Sequence, residues 1–279
     1  MNIYDISREA GVSIATVSRV LNNSDKVSAA TRQKVLDIIE KSGYTPNAFA
    51  RSLGLNSMYT VGILCSDASD VYQAQAIYFL ERELRNHSYT SMLCCTGHDL
   101  KEKQNYLNLL LSRNVDAVIF IGSHFIEESA QGNQYILDTA KKIPVFVLNG
   151  ELKGSNIYSI LCDDYQASKE MTDLIFSRGS TQPVYLYRAL NYSGKKKTAG
   201  FAASCEEHGI SQSSSRIFSC PGKIQEAHAL LKRIHKDGLS FDSVVAADDE
   251  LAAGAVKYAL GRGLSIPAQF QIGGYNPVS

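Results

Sequence analysis

The run Asp5-Ile6-Ser7-Arg8-Glu9-Ala10-Gly11-Val12-Ser13-Ile14-Ala15-Thr16-Val17-Ser18-Arg19-Val20-Leu21-Asn22 decides how the rest of the chain is read. A helix over Tyr4–Ala10 carries apolar positions at Ile6 and Ala10, with Val12 just beyond. It stops at Gly11, the residue that tolerates a left-handed turn. Ser13 is a good N-cap for a second helix, Ile14–Asn22, whose Val17, Val20 and Leu21 form an inward stripe at i, i+3 and i+4. Ser28 caps a third, in which Val35, Leu36, Ile38 and Ile39 are expected to pack on the first two, and Gly43 ends it. Two short helices about a Gly turn, backed by a third, predict a helix-turn-helix. The outer face of the second helix offers Thr16 and Ser18 hydroxyls for phosphates, Arg19 for guanine, and Ile14 and Ala15 for thymine methyls. Its N-terminus favours a phosphate.

Beyond about Asn56 the pattern changes, and from Tyr59 onward apolar, β-branched runs alternate with helical patterns. Strands are expected near 60–66, 90–96, 116–122 and 143–149, then near 183–188, 215–219, 242–247 and 270–274, with helices such as Tyr165–Ser177 and Glu250–Arg262 between them. This βαβ rhythm predicts parallel sheets covered on both faces. Two similar α/β lobes, about 59–160 and 161–279, imply a cleft between them, with ligands at the strand ends. Residues 1–58 form the first domain. Its segment Thr45-Pro46 to Gly54 suits a short hinge helix, with Pro in the first turn and Gly at the stop.

Composition narrows the function. The 279 residues carry 28 Lys+Arg and 28 Asp+Glu, so a globally basic nucleic-acid coat and an acidic solvating protein are both excluded. Residues 1–58 hold seven basic against five acidic side chains, too slight an excess to indicate DNA alone. No apolar run reaches the length of a membrane span and no signal peptide opens the chain, which predicts a cytoplasmic protein without a membrane partner. The six cysteines contain no C-x-x-C pair and read as small buried hydrophobes in a reducing compartment rather than zinc ligands.

No catalytic, metal or cofactor constellation emerges. Gly194-Lys195-Lys196-Lys197-Thr198 lacks the earlier Gly of a phosphate loop, since Ala189 stands there, and reads as a solvated basic loop near the cleft. His228 and His235 read as surface residues of one helix. Asp248-Asp249-Glu250 complements the dipole at a helix start, and there is no Gly-x-Ser-x-Gly elbow. The expectation is a binding protein, not an enzyme, needing no cofactor.

The Asp5–Asn22 run resembles the signature of the LacI/GalR (lac repressor) family of transcription regulators, departing from it at Ser7, where Ala is usual. Thr45-Pro46-Asn47-Ala48-Phe49-Ala50-Arg51-Ser52-Leu53 resembles the family's hinge, and the two lobes resemble its periplasmic-binding-protein-like effector domain. The resemblance implies a repressor that binds a near-palindromic double-stranded operator as a homodimer. It places Ile14, Ala15, Thr16, Ser18, Arg19 and Asn22 on DNA in the headpiece, and Ala50, Arg51 and Leu53 in the hinge, with Leu53 as a minor-groove wedge. A rigid linker is the alternative for the hinge.

Residue by residue, the resemblance puts the effector on Tyr72, Ser123, His124, Asn149, Asp163, Lys197, Asp249 and Asn276. Polyols need carboxylate and amide partners plus an aromatic face, and Asp163, Asp249, Asn149 and Tyr72 could supply them, which favours a sugar. Each could equally be a helix cap or a solvated loop residue. Two positions depart from the family pattern. Lys197 replaces an Arg, exchanging a planar fork for a point charge, and Gly274-Tyr275-Asn276 replaces Gly-Tyr/Phe-Asp, removing an anion. Family members also continue past this motif, so the resemblance implies an incomplete C-terminal lobe and dimer face. Residues 60–279 alone would also suit a solute-binding module without a DNA role.

Overall fold

A computed structural model describes residues 2–21, 24–43 and 57–275. Asn22, the expected hinge with Ala50, Arg51 and Leu53, and Asn276 lie outside the described residues.

Among its described residues the N-terminal unit has three helices: α1 (Ile3–Ala10), α2 (Ile14–Leu21) and α3 (Ala29–Ser42). Asn2 and Asp5 close α1 with a reciprocal capping box, one residue earlier than the sequence suggests. Gly11 then takes the left-handed conformation (φ 63°) that reverses the chain. Ser7, the departure from the family pattern, donates its hydroxyl to the Val12 carbonyl at 2.6 Å and so fastens this turn. Ile6, Ala10, Val17, Val20, Val35 and Ile38 form the core. Leu36, expected inside, is 41% exposed. On an α-helix it points about 100° away from Val35, and α1 and α2 cover only the stripe through Val35 and Ile38.

The rest is two parallel α/β units. The first sheet contains β1 (Thr60–Cys65), β2 (Thr90–Cys95), β3 (Ala117–Ile121), β4 (Val145–Leu148) and β5 (Ile157–Ile160), in the order β2-β1-β3-β4-β5. Helices α4 (Val71–Asn86), α5 (Leu100–Ser112) and α6 (Gln134–Ala140) connect the first four strands. One face packs Leu64, Val118, Phe120, Val145 and Val147 on Leu107, Leu110 and Ile136 of α5 and α6. The other packs Val61, Ile63, Ile119 and Ile121 beneath α4. The fifth strand was not expected. Ile-Tyr-Ser-Ile is short, edge-placed and alternating, and it follows Asn156 at positive φ, so it reads as loop.

The second sheet runs β7-β6-β8-β9, with β6 (Pro183–Tyr187), β7 (Ile217–Ser219), β8 (Ser243–Ala246) and β9 (Gln271–Gly273). Helices α7 (Asp164–Ser177) and α8 (Tyr192–Glu207) cover one face, packing Ile175, Phe201 and Cys205 on Tyr185 and Val245; α9 (Ile224–Lys236) and α10 (Asp249–Gly261) cover the other. The expected basic loop at 194–197 is in fact the first turns of α8, because Asn191 caps that helix through Gly194 N–H at 2.9 Å.

The two units share a device visible in Val115-Asp116-Ala117-Val118 and Phe241-Asp242-Ser243-Val244. Asp116 accepts from the Met58 and Thr60 amides at 3.0 and 2.8 Å. Asp242 accepts from the Thr181 and Gln182 amides at 2.7 and 3.1 Å and from Ser180 Oγ at 2.6 Å. Each carboxylate thereby ties the start of its own strand, β3 or β8, to the segment entering the neighbouring strand, β1 or β6. Burial works to raise the Asp242 carboxyl, but these hydrogen bonds outweigh it and hold the group below its ordinary value.

Among the described residues no helix is long and apolar enough to cross a membrane, and no His/Cys/Asp/Glu cluster could hold a metal. Cys65, Cys94, Cys205 and Cys220 are buried as expected, whereas Cys95 and Cys162 are exposed. Cys95 faces out because β2 is an edge strand.

Candidate DNA-reading helix and effector cleft

On α2 the buried stripe of Val17 and Val20 fixes which residues face solvent. Ile14, Ala15 and Arg19 are exposed; Thr16 and Ser18 are half-buried. Ser13 caps the helix, accepting from the Thr16 amide at 3.2 Å while its hydroxyl meets Thr16 Oγ1 at 2.9 Å. The first turn therefore presents an ordered pair of hydroxyls beside open amide groups, and Arg19 lies one turn further along.

Both sheets reverse strand order at their centres, between β1 and β3 and between β6 and β8. Ligands in open α/β sheets collect outside the carboxyl ends of such strands. A cleft of about 220 Å³ lies there, lined from the first unit by Tyr72, Gln73, Ser123, His124 and Asn149, and from the second by Arg188, Lys197, Asp248, Asp249 and Glu250. Six of the eight effector positions expected from sequence thus line one cavity: Tyr72, Ser123, His124, Asn149, Lys197 and Asp249. Asp163 does not; it is exposed and caps α7 through the Gln166 amide at 3.1 Å. Its buried neighbour Asp164 instead accepts from Tyr275 Oη at 2.8 Å.

In the first unit, Asn149 Nδ2 donates to Tyr72 Oη at 2.6 Å. Burial, then the neighbouring Cys162 and Asp164, push the phenol up to about 12, so it stays protonated and keeps its own O–H to donate. Gln73 Oε1 accepts from the Ser66 amide at 2.9 Å and Ser66 Oγ at 3.2 Å, which fixes the loop leading into α4. The Ser123–Phe125 turn is held from beneath by Lys103, 2% exposed, which donates to the His124 carbonyl at 2.5 Å and Glu127 Oε1 at 2.8 Å. His124 Nε2 is buried without a partner. Burial first, then His98 and Lys103, lower this imidazole to about 3, so it is neutral at physiological pH.

In the second unit, Arg188 leaves the end of β6 and grips Asp248 with both arms, at 2.6 and 3.1 Å, while also reaching Glu250 at 2.6 Å and the Gly222 carbonyl at 2.8 Å. Asp248 in turn caps α10 through the Leu251 amide at 3.0 Å. Lys197, 6% exposed, donates to the Ala247 carbonyl at 3.3 Å and lies 3.7 Å over the Tyr275 ring. Burial lowers its ammonium, against the opposing pull of Asp164 and Asp248. Both cations lining the cleft are therefore already engaged, and carboxylate and amide groups dominate its open edge. Across the mouth, Tyr192 Oη donates to Glu151 Oε2 at 3.0 Å and Lys195 pairs with Glu128.

Sequence reasoning did not single out Arg188, Gln73 or Lys103. Arg188 had a signal, a cation directly following the apolar run Val184-Tyr185-Leu186-Tyr187. Gln73 and Lys103 had none, since both lie inside ordinary helical patterns.

Residues 2–47 match the family model described as bacterial regulatory proteins, lacI family, and residues 58–278 match periplasmic binding proteins and sugar binding domain of LacI family. An HTH-type transcriptional regulator of Lachnoclostridium phytofermentans is 46% identical over 276 residues, covering 99% of this chain and 83% of the relative. Catabolite control protein A of Staphylococcus xylosus is 31% identical, with 99% and 82% covered. Among solved structures, the lac repressor dimer bound to operator and the anti-inducer ONPF superposes with a TM-score of 0.87 over 100% of this chain and 83% of that one. At 19% identity this likeness speaks for the fold alone.

Proposed function

This chain belongs to the lacI family of bacterial regulatory proteins, and from that premise we infer how it works as a DNA-binding transcription regulator. It is a cytoplasmic repressor, not an enzyme, that binds a near-palindromic operator as a homodimer. Residues 1–58 are the DNA-binding domain with its hinge, and residues 59–279 are the effector domain. Ile14, Ala15 and Arg19 read bases from the exposed face of α2, and Thr16 and Ser18 position the helix on phosphates. Asn22 and the hinge residues Ala50, Arg51 and Leu53 complete the DNA contacts.

The effector is a neutral sugar held between the lobes. The observation that carries this reading is the state of the cleft cations: Arg188 is satisfied by Asp248 and Glu250, and Lys197 by the Ala247 carbonyl and the Tyr275 ring. A phosphorylated sugar would find acidic edges and, among the described residues, no open cation lining the cleft. A neutral polyol would find Asp249, Asn149 and the Tyr72 hydroxyl, the donor and acceptor set that hydroxyl groups need. Binding shifts the population of lobe arrangements, and that shift changes how the two DNA-binding domains of the dimer are presented.

Calorimetric titration with matched neutral and phosphorylated mono- and disaccharides tests the effector assignment. A neutral sugar should bind, and Asp249→Asn should weaken it by about 1.5–3 kcal/mol, the range of a hydrogen bond to a charged group. Heat only from the phosphorylated series, or from neither series, would overturn it.

A further inference from the structure

Two cysteines at the end of the first sheet stand outside everything assigned above. Cys65 is the last residue of β1 and Cys95 the last of β2, and the two are register partners in the parallel pair. Residues alternate faces along a strand, so partners in register project to the same face. Their sulfurs lie 3.6 Å apart. Neighbouring strands are about 4.8 Å apart, inside the roughly 4.4–6.8 Å Cα separation that a disulfide spans. The accessibilities are complementary: Cys65 is 0% exposed under α4, whereas Cys95 is open to solvent on the edge strand.

We propose that Cys65 and Cys95 are a redox pair that closes to a reversible disulfide when the protein meets a hydroperoxide. The exposed Cys95 thiolate attacks the outer peroxide oxygen. The O–O bond breaks, the alkoxide or hydroxide that departs takes up the proton released when Cys95 ionised and leaves as an alcohol or water, and Cys95 becomes a sulfenic acid. The Cys65 sulfur then attacks the Cys95 sulfur. An S–S bond forms, the S–O bond breaks, and the departing hydroxide takes up the proton lost by Cys65 to leave as water. Two thiols are oxidised and one peroxide is reduced, so atoms and electrons balance. The sulfurs close by about 1.5 Å to reach bonding distance. The division of roles follows from the surroundings. Burial, then the hydrogen bond and charge of Cys95, push the Cys65 thiol up to about 12, so the buried Cys65 does not meet the peroxide first and reacts only with the sulfenic acid formed beside it. Cys94 is adjacent in sequence but points into the opposite face, against the core of Leu107 and Val118, and is not a competing partner. Ser66, immediately after Cys65, is held by Gln73 of the cleft wall, so closure of the pair tightens a strand end that the effector site rests on.

The test uses the full reduced chain treated with stoichiometric hydrogen peroxide, quenched with an alkylating agent under denaturing conditions and mapped by mass spectrometry. The expected result is loss of two of the six thiols, a mass lower by two hydrogens, one cross-link joining the peptides of Cys65 and Cys95, and full reversal by dithiothreitol. Cys95→Ser should abolish the cross-link. Cys94→Ser should leave it intact. Progress of Cys95 to sulfinic acid with Cys65 still free, or a cross-link from Cys95 to Cys94 or Cys162, would overturn the proposal.

Discussion

Gly200→Ala adds one methyl group at the tightest crossing in the second lobe, where α8 passes over α7. A Cβ there would stand 2.2 Å from the Tyr165 carbonyl oxygen and 3.0 Å from the Lys169 amide nitrogen. Both are backbone atoms of α7, which cannot rotate aside, so the helices must part by about 1 Å. Overpacking of this kind costs about 1–3 kcal/mol, and the immobility of the obstacle puts it at the upper end. A gap of 0.5–1 Å forfeits a quarter to a half of each dispersion contact it crosses. Phe201 and Cys205, both 0% exposed beside this seam, then lose about another 1 kcal/mol. The better helix propensity of Ala returns about 1 kcal/mol. The net expectation is destabilisation by about 3 kcal/mol, or a melting temperature about 6–12 °C lower for a unit of this size. Gly261→Ala is the matched control, because nothing lies within 4 Å of a Cβ there. The same chemical change should stabilise by about 0.4–1 kcal/mol. Thermal unfolding followed by circular dichroism reads both variants. A Gly200→Ala protein that melts at or above the wild-type temperature would refute the reasoning.

Arg19→Ala should cost about 1–3 kcal/mol at one base-pair position if the guanidinium reads guanine, whereas an equal loss on every sequence in a binding titration would make it a phosphate contact. The His124 imidazole is held at about 3 against an ordinary 6.5, so its contribution to stability is fully present above about pH 6.5 and is lost as pH falls from there towards 3. His124→Gln should flatten the melting-temperature profile across that window, and an unchanged slope would contradict the burial argument. Arg188→Met removes the cation that Asp248 and Glu250 share, leaving Glu250 only the longer pair with Lys223 at 3.8 Å. Arg188 and the two carboxylates are about a third exposed or less, so solvent screening limits the loss to about 1–2 kcal/mol. Adding Asp248→Asn, which keeps a capping oxygen, should recover part of it in chemical denaturation; no recovery would mean that repulsion is not the cause.

The sequence announces the parts of this protein whose signals are periodic. Parallel central strands such as Val118–Ile121 and Val184–Leu186 are unbroken apolar runs because both their faces are buried, and the headpiece declares itself through Gly11, Ser13 and the Val17–Val20 stripe. Legibility fails where one residue type has two uses. Leu36 and Val35 are equally apolar, and only the angle at which α3 meets its partners leaves Leu36 outside. Asp163 is an expected cleft acid, yet it is a solvent-facing cap of α7, while the next residue, Asp164, is buried and accepts from Tyr275. Lys197 reads as part of a solvated basic run, but its neighbours Lys195 and Lys196 face outward while it turns inward on α8. The strand β5 is too short and too alternating to separate from loop. Six of the eight effector positions that the resemblance implied line the cleft, and Ser123 and Asn149 among them directly follow the ends of strands that the βαβ rhythm marks.

The coupling of a DNA-reading helix to a sugar-binding cleft is tested most directly by selecting the purified chain against a random duplex library at a fixed, near-physiological salt, with and without the neutral sugar identified by calorimetry. The account predicts enrichment of a two-fold symmetric site whose recovery changes when the sugar is present. Enrichment of a lone half-site, of no sequence, or of a symmetric site indifferent to the sugar would contradict it.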